Sequence, residues 1–236
     1  MDEWNQLTDW WLEEIDDPAY VEEVIPLFLD VLQVRRGDLI LDLGCGEGRI
    51  QSIVAEMGAT VIGVDVNAEL GGIAAQRHPV VVQRLPDLSC FRDASVDGAY
   101  IVLALEHLHD SERLFGETAR VVATGGTLTV VINHPVYTAP NSGPVLDQTD
   151  GELFWRFGDY LTSGSSREPA GSGDVEFVHR PFGVLLTEAA GAGWSIEEVR
   201  EQGVGEQAAR RDELLAKHRQ IPHLMAMRWR YRPLGN

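Results

Sequence analysis

Residues 39–50 read LILDLGCGEGRI: an apolar run that holds one acid, Asp42, and ends in three glycines within five positions, Gly44, Gly46 and Gly48. Glycines spaced so closely after a strand let backbone approach a ligand. A second acid, Asp65, closes the next apolar run, ATVIGVD (59–65). A carboxylate at a strand end can accept both hydroxyls of a ribose. Three histidines stand near the ends of later runs, His107, His134 and His179. With an unperturbed pKa of about 6.5, a histidine suits proton transfer at neutral pH.

The glycine loop limits what the ligand can be. A dinucleotide-binding loop needs G-x-G-x-x-G so that a helix N-terminus can receive a pyrophosphate. Here Arg49 stands where the last glycine would fall, and Asp42 and Glu47 place carboxylates before and within the loop. Those charges repel a pyrophosphate and attract a cationic ligand without phosphate. S-adenosylmethionine, with an ammonium, a sulfonium and no phosphate, is such a ligand.

Alternating elements must position these groups. Residues 4–33 read as one or two amphipathic helices, with Pro18 and Pro26 as interruptions or first-turn residues. Strands are expected at 39–44, 59–65, 79–83, 97–105 and 125–133. Helices are expected between them at 47–57, 69–76 and 111–123. That rhythm implies right-handed crossovers and a parallel sheet buried on both faces, an α/β doubly wound Rossmann-like fold. Residues 134–180 break the rhythm with Gly, Ser and Pro around Phe154, Trp155, Phe157 and Tyr160. A long aromatic insertion of this kind reads as a cap or binding loop, with Phe154 to Tyr160 as a substrate wall. A helix, a strand (194–202), a polar helix (206–219) and a last strand (223–233) complete the chain.

The motifs LDLGCGEGR, VIGVD and VDGAYIVLALEHLHD resemble the class I S-adenosylmethionine-dependent methyltransferases, and among them the small-molecule group of ubiquinone and menaquinone biosynthesis. The resemblance is specific over residues 37–133 and diffuse beyond. It implies a seven-stranded sheet in the order 3-2-1-4-5-7-6 with the seventh strand antiparallel. It implies that Gly44, Cys45 and Gly46 meet the methionine moiety and ribose, and that Asp42 faces the ammonium. Asp65 would hold the ribose and Val66 would lie beside the adenine, while Val102, Leu103 and His107 would meet the methionine part. The group places an acid after the third strand for the adenine amino group. This chain has Leu85 there, so Asp87, with Leu88 beside it, is expected to substitute.

Composition sets the outer bounds. The chain has 236 residues, and 19 basic against 37 acidic ones leave a net charge of −18. Such a balance disfavours nucleic acid or an anionic membrane as a partner, since both need a positive field. Two cysteines, Cys45 and Cys90, lack the spacing of a zinc site or a disulfide framework. No run approaches the ~20 apolar residues of a membrane span, and the acidic, aromatic start lacks signal-peptide character.

The expectation is therefore one methyltransferase domain in the cytoplasm, as a monomer or weak homodimer. It divides into an N-terminal helical lid (1–36), a cofactor-binding core (37–133), a substrate cap (134–180) and a C-terminal helix with strands (181–236). The acceptor is a small molecule methylated on oxygen, nitrogen or carbon. His179 at the return of the cap is the favoured proton acceptor and His134 the second choice. Two alternatives stand beside this: an RNA or protein methyltransferase, with an activator subunit allowed, and a cofactor-binding protein without catalysis.

Overall fold

A computed structural model of the chain describes residues 4, 7–14, 18–171, 173–211, 216–217 and 219–233. Its frame is a seven-stranded sheet. β1 (Leu39–Leu43), β2 (Thr60–Asp65), β3 (Val80–Val82), β4 (Val96–Val102) and β5 (Val122–Asn133) run parallel. Two later strands, β10 (Trp194–Gln202) and β11 (Leu224–Tyr231), complete it in the order β3-β2-β1-β4-β5-β11-β10, with β11 antiparallel to both neighbours. This is the order and the antiparallel strand that the resemblance implies.

The strands read as continuous apolar runs because both sheet faces are covered. Side chains alternate: Leu41 and Leu43 of β1 join Ala99 and Ile101 of β4 and Leu128 and Val130 of β5 in one core. Phe115 from helix α5 (Ser111–Val121) and Leu185 from α7 (Phe182–Gly191) close that face. The other face takes Ile40, Tyr100, Val102 and Val131, covered by Val54 of α3 (Arg49–Glu56) and Phe28 of α2 (Ile25–Val31). Burying Phe28 or Phe115 alone is worth about 1.5–3 kcal/mol. Asp42 follows Ile40 on this second face, so a carboxylate meets Tyr100 inside an otherwise apolar layer.

Further elements deserve description because they border the site. Helix α1 (Thr8–Glu14) lies near the N-terminus, and a π-helical turn (Tyr20–Val24) runs directly into α2. Pro26 sits in the first turn of α2, where its missing N–H costs little. Helix α4 (Ala68–Ala74) connects β2 to β3 and is capped by Asn67, whose side chain accepts from the amides of Glu69 and Leu70.

The insertion is built of two hairpins. After a single turn, α6 (Pro135–Thr138), β6 (Gly143–Leu146) pairs with β7 (Leu153–Arg156), and β8 (Gly164–Ala170) pairs with β9 (Gly173–His179). The second hairpin packs Ala170 and Val175 on Leu7, flanked by Trp4, Trp10 and Phe177. The helix expected over 206–219 is present as α8 (Glu206–Arg211); residues 212–215 and 218 lie outside the described residues. Among the described residues no helix is long and apolar enough to cross a membrane.

Candidate active site

The site opens at the carboxyl ends of β1, β2 and β4. Gly44 has φ +82°, and a Cβ there would lie 2.6 Å from the Ala104 Cβ, so the close approach of the loop to the β4 turn requires glycine. Gly46 is covered by the Trp11 indole, 3.0 Å from where a Cβ would be. The loop is fixed from β2: Asp65 Oδ2 accepts the Gly46 N–H at 2.8 Å and Oδ1 accepts the Asn67 N–H at 2.7 Å. A carboxylate has about four lone-pair sites, so Asp65 keeps acceptor capacity toward the cleft it lines. Burial raises its pKa, against the backbone donors that lower it.

Behind the loop lies a concentration of negative charge. Asp42 is 3% exposed and accepts a hydrogen bond from the Tyr100 hydroxyl at 2.9 Å. Burial pushes its carboxyl up to about 8; the Tyr100 bond opposes this, and Asp65 and Glu47 add to it. Glu47 accepts from Trp11 Nε1 at 3.0 Å and lies 3.8 Å from Arg49 Nε. These acids line a cavity of about 10 Å³ with Tyr20, Cys45 and Val102, room for about one water. A cation in the neighbouring cleft would stabilise the charged carboxylates; a phosphate would be repelled by them.

The opposite wall comes from β4 and the turn after it. Leu103 holds φ +50°, a strained conformation for a branched side chain, and donates its amide to the Val131 carbonyl at 2.8 Å. Such strain, of order 1–3 kcal/mol, collects at functional sites. A 3₁₀ turn (Leu105–His107) follows, and Glu106 anchors it by accepting from both the backbone and the side-chain nitrogen of Asn133, at 3.1 and 2.9 Å. His107 donates from Nδ1 to the Glu176 carbonyl of β9 at 2.8 Å. A carbonyl can only accept, so in the neutral ring Nε2 keeps its lone pair. The ring packs against Trp4 (centroids 4.9 Å apart) and Phe177 (4.8 Å).

Together Gly44, Gly46, Asp65, Val66, Val102, Leu103 and His107 line one cleft, roofed by Trp4 and Trp11. The roof is tied to Asp65 through one residue. Asn67 Nδ2 donates to the Trp4 carbonyl at 2.8 Å and to Thr8 Oγ1 at 3.0 Å, while its amide holds Asp65.

Comparison with known proteins places this geometry. A family described as a methyltransferase domain matches residues 41–130. A crystal structure of an S-adenosylmethionine-dependent methyltransferase from Mesorhizobium loti superposes with a TM-score of 0.75 at 27% identity, covering 87% of this chain and 96% of that one. Residues 41–130 are a methyltransferase domain, and the chain around them shares the fold of the S-adenosylmethionine-dependent methyltransferases. Among curated relatives, 24-methylenesterol C-methyltransferase 2 of Oryza sativa subsp. japonica is 32% identical to this methyltransferase over 41% of its chain and 29% of the relative. Ubiquinone biosynthesis O-methyltransferase of Xanthomonas oryzae pv. oryzae is 29% identical over 50% of this chain and 54% of the relative. The methyltransferase thus spans about half or less of these curated relatives' length. S-adenosylmethionine is the cofactor of the class, and the residues present fit it: a glycine cradle, a strand-end acid and buried carboxylates without a phosphate site.

Several expectations need correction. Cys45 turns its thiol back against the sheet, 2.6 Å from where a Cβ on Gly63 would stand, so only its backbone belongs to the loop. Asp87 is not on the cleft; its carboxylate accepts the Ser89 N–H at 2.9 Å and serves the turn. Leu88 is fully buried in the core. His134 faces the far end of β5, where Nδ1 accepts the Val136 N–H at 3.1 Å and Nε2 pairs with Glu201 at 2.8 Å. His179 is 1% exposed, with Nε2 donating to the Tyr160 carbonyl at 2.8 Å. Neither histidine lines the cleft. Phe154 and Phe157 point to solvent, 49% and 61% exposed, rather than forming a substrate wall. The cleft also takes in Leu70, Arg84, Ala104 and Leu108, which the motifs did not single out. Only their positions just after strand ends could have flagged them.

Proposed function

We propose that the protein methylates a small, largely apolar acceptor that enters between His107 and the aromatic roof. The observation that carries this reading is the environment of His107: Nδ1 is committed to the Glu176 carbonyl, and the ring faces the cleft beside Trp4 and Leu108. An acceptor hydroxyl at this wall gives its proton to His107 Nε2, and the oxygen then forms the new bond to the methyl carbon. S-adenosylmethionine, when bound, would supply that methyl carbon on a sulfonium, with the neutral thioether as leaving group taking the S–C bonding pair. Gly44 and Gly46 offer backbone to the cofactor, Asp65 its remaining lone pairs, and Asp42 with Glu47 a negative field. Trp4, Trp11 and Phe177 exclude water and orient a flat or lipophilic acceptor; alignment at near-attack distance supplies most of the rate. In this reading α1 is a lid that Asn67 latches.

Relatives acting on a quinone precursor and on a sterol support an acceptor of this kind. The test is turnover by the wild-type protein and by His107→Ala across a panel of phenolic and lipophilic alcohols, with S-adenosylhomocysteine affinity measured in parallel. Loss of turnover with retained affinity supports the base; equal turnover by both proteins removes it.

A further inference from the structure

Among the described residues, no carboxylate lines the end of the cleft beyond Asp65. Val66, Leu70 and Leu85 give it apolar walls, and the charged side chain on its lining there is Arg84. Arg84 and Asp87 begin and end one tight turn, closed by the Asp87 N–H donating to the Arg84 carbonyl at 3.0 Å. The turn sends the two side chains to different places. Arg84 stays on the cleft lining, while Asp87 folds onto the Ser89 amide.

A planar base attached to a ribose held at Asp65 would lie among Val66, Leu70 and Leu85. Its outer edge would then meet donors rather than acceptors. A 6-amino purine offers Arg84 only its ring nitrogens, because its exocyclic N–H groups are donors themselves. A 6-oxo purine offers O6 and N7 together, the pair that a guanidinium takes bidentately. We propose that Arg84 reads the purine edge, so that this site accepts 6-oxo and 6-amino purine nucleosides with similar affinity, where a carboxylate would reject the 6-oxo form. The inference rests on the S-adenosylmethionine reading of the cleft and names the group that sets its base specificity.

The test is calorimetric titration of S-adenosylhomocysteine and its deaminated 6-oxo analogue, S-inosylhomocysteine, into the wild type, Arg84→Ala and Arg84→Asp. Arg84 is exposed, so the variants should melt like the wild type. The expected wild-type dissociation constants lie within about threefold of each other, since an exposed guanidinium contributes modestly. Arg84→Asp should shift the ratio at least about tenfold toward the 6-amino ligand, the scale of one lost or gained bidentate pair, with Arg84→Ala between. A wild type that rejects the 6-oxo ligand, or a ratio that Arg84→Asp leaves unmoved, overturns the role of Arg84 alone. Absence of binding by either ligand overturns the cofactor reading as well.

Discussion

Residues 37–133 and residues 134–180 build their surfaces by different means. In the first segment the chemistry-bearing groups sit at strand ends, and strand register decides where they point. Asp42 and Asp65 are held opposite Gly63 and Val82 by parallel ladders on either side of β2. In the second segment two hairpins carry the aromatic residues, and contact with the rest of the fold decides which of them face inward. Phe177 of β9 reaches His107, whereas Phe154 of β7 stays in solvent. Strand register therefore sets the glycine-loop side of the cleft, and the packing of the hairpins sets the side proposed for the acceptor.

The largest expected effect lies on the cofactor side. Asp65→Asn should weaken S-adenosylhomocysteine binding by about 2–4 kcal/mol, the scale of two charge-assisted hydrogen bonds, and should also lower the melting temperature, because the amide can accept only one of the Gly46 and Asn67 N–H bonds. Calorimetry with a parallel melt checks it. Unchanged affinity would move the ribose elsewhere and erase the distinction between the two regions.

Next come the histidines, which separate the acceptor side from mere scaffold. His107→Ala should lower turnover at least about tenfold, at the low end of general-base effects, with cofactor affinity changed little. His134→Ala and His179→Ala should instead lower the melting temperature, because both rings are buried and hydrogen-bonded away from the cleft. Steady-state kinetics and melts on the three variants decide between these outcomes.

A third effect is pH dependence. Asp42, pushed up to about 8 by burial, must ionise to favour a cationic ligand. Affinity for S-adenosylmethionine should rise with pH and level off above about 8, by at most about tenfold per pH unit. Asp42→Asn should flatten the curve. For the fold the sign reverses: the raised Asp42 contributes stability below its ordinary 3.8 that is lost as pH rises through about 8. His134 and His179, both lowered by burial, contribute stability above their ordinary 6.5 that is lost as pH falls below it. Chemical denaturation across this range, for the wild type and the three single variants, separates the contributions.

The smallest effect belongs to the outward hairpin. Phe157→Ser removes an exposed ring and should leave turnover and cofactor affinity within about twofold of wild type, as surface changes do. A large loss of turnover in this variant would return the β6–β7 hairpin to the acceptor site.

The same contrast explains what could be read from the residues alone. The alternation of strands and helices and the glycine loop were legible because periodicity and glycine spacing are local signals, whereas the sheet order came only with the family resemblance. The place of Arg84 on the cleft was not, because it depends on how the tight turn from Arg84 to Asp87 is set. Nor was the histidine: the sequence favoured His179 and then His134, yet of the three only His107 lines the cleft. All three follow apolar runs, and only the packing of β9 on the turn after β4 brings one of them to the cleft. The cap was read as one unit because Gly, Ser and Pro mark irregularity without saying how many hairpins it contains.

The most direct test of the cofactor-side account is calorimetric titration of the purified wild-type protein with S-adenosylhomocysteine and, separately, with NAD. A cleft with Asp42, Glu47 and Asp65 around its glycine loop should bind the thioether in the micromolar range and give no heat with the pyrophosphate-bearing ligand. Saturable NAD binding without S-adenosylhomocysteine binding would contradict it.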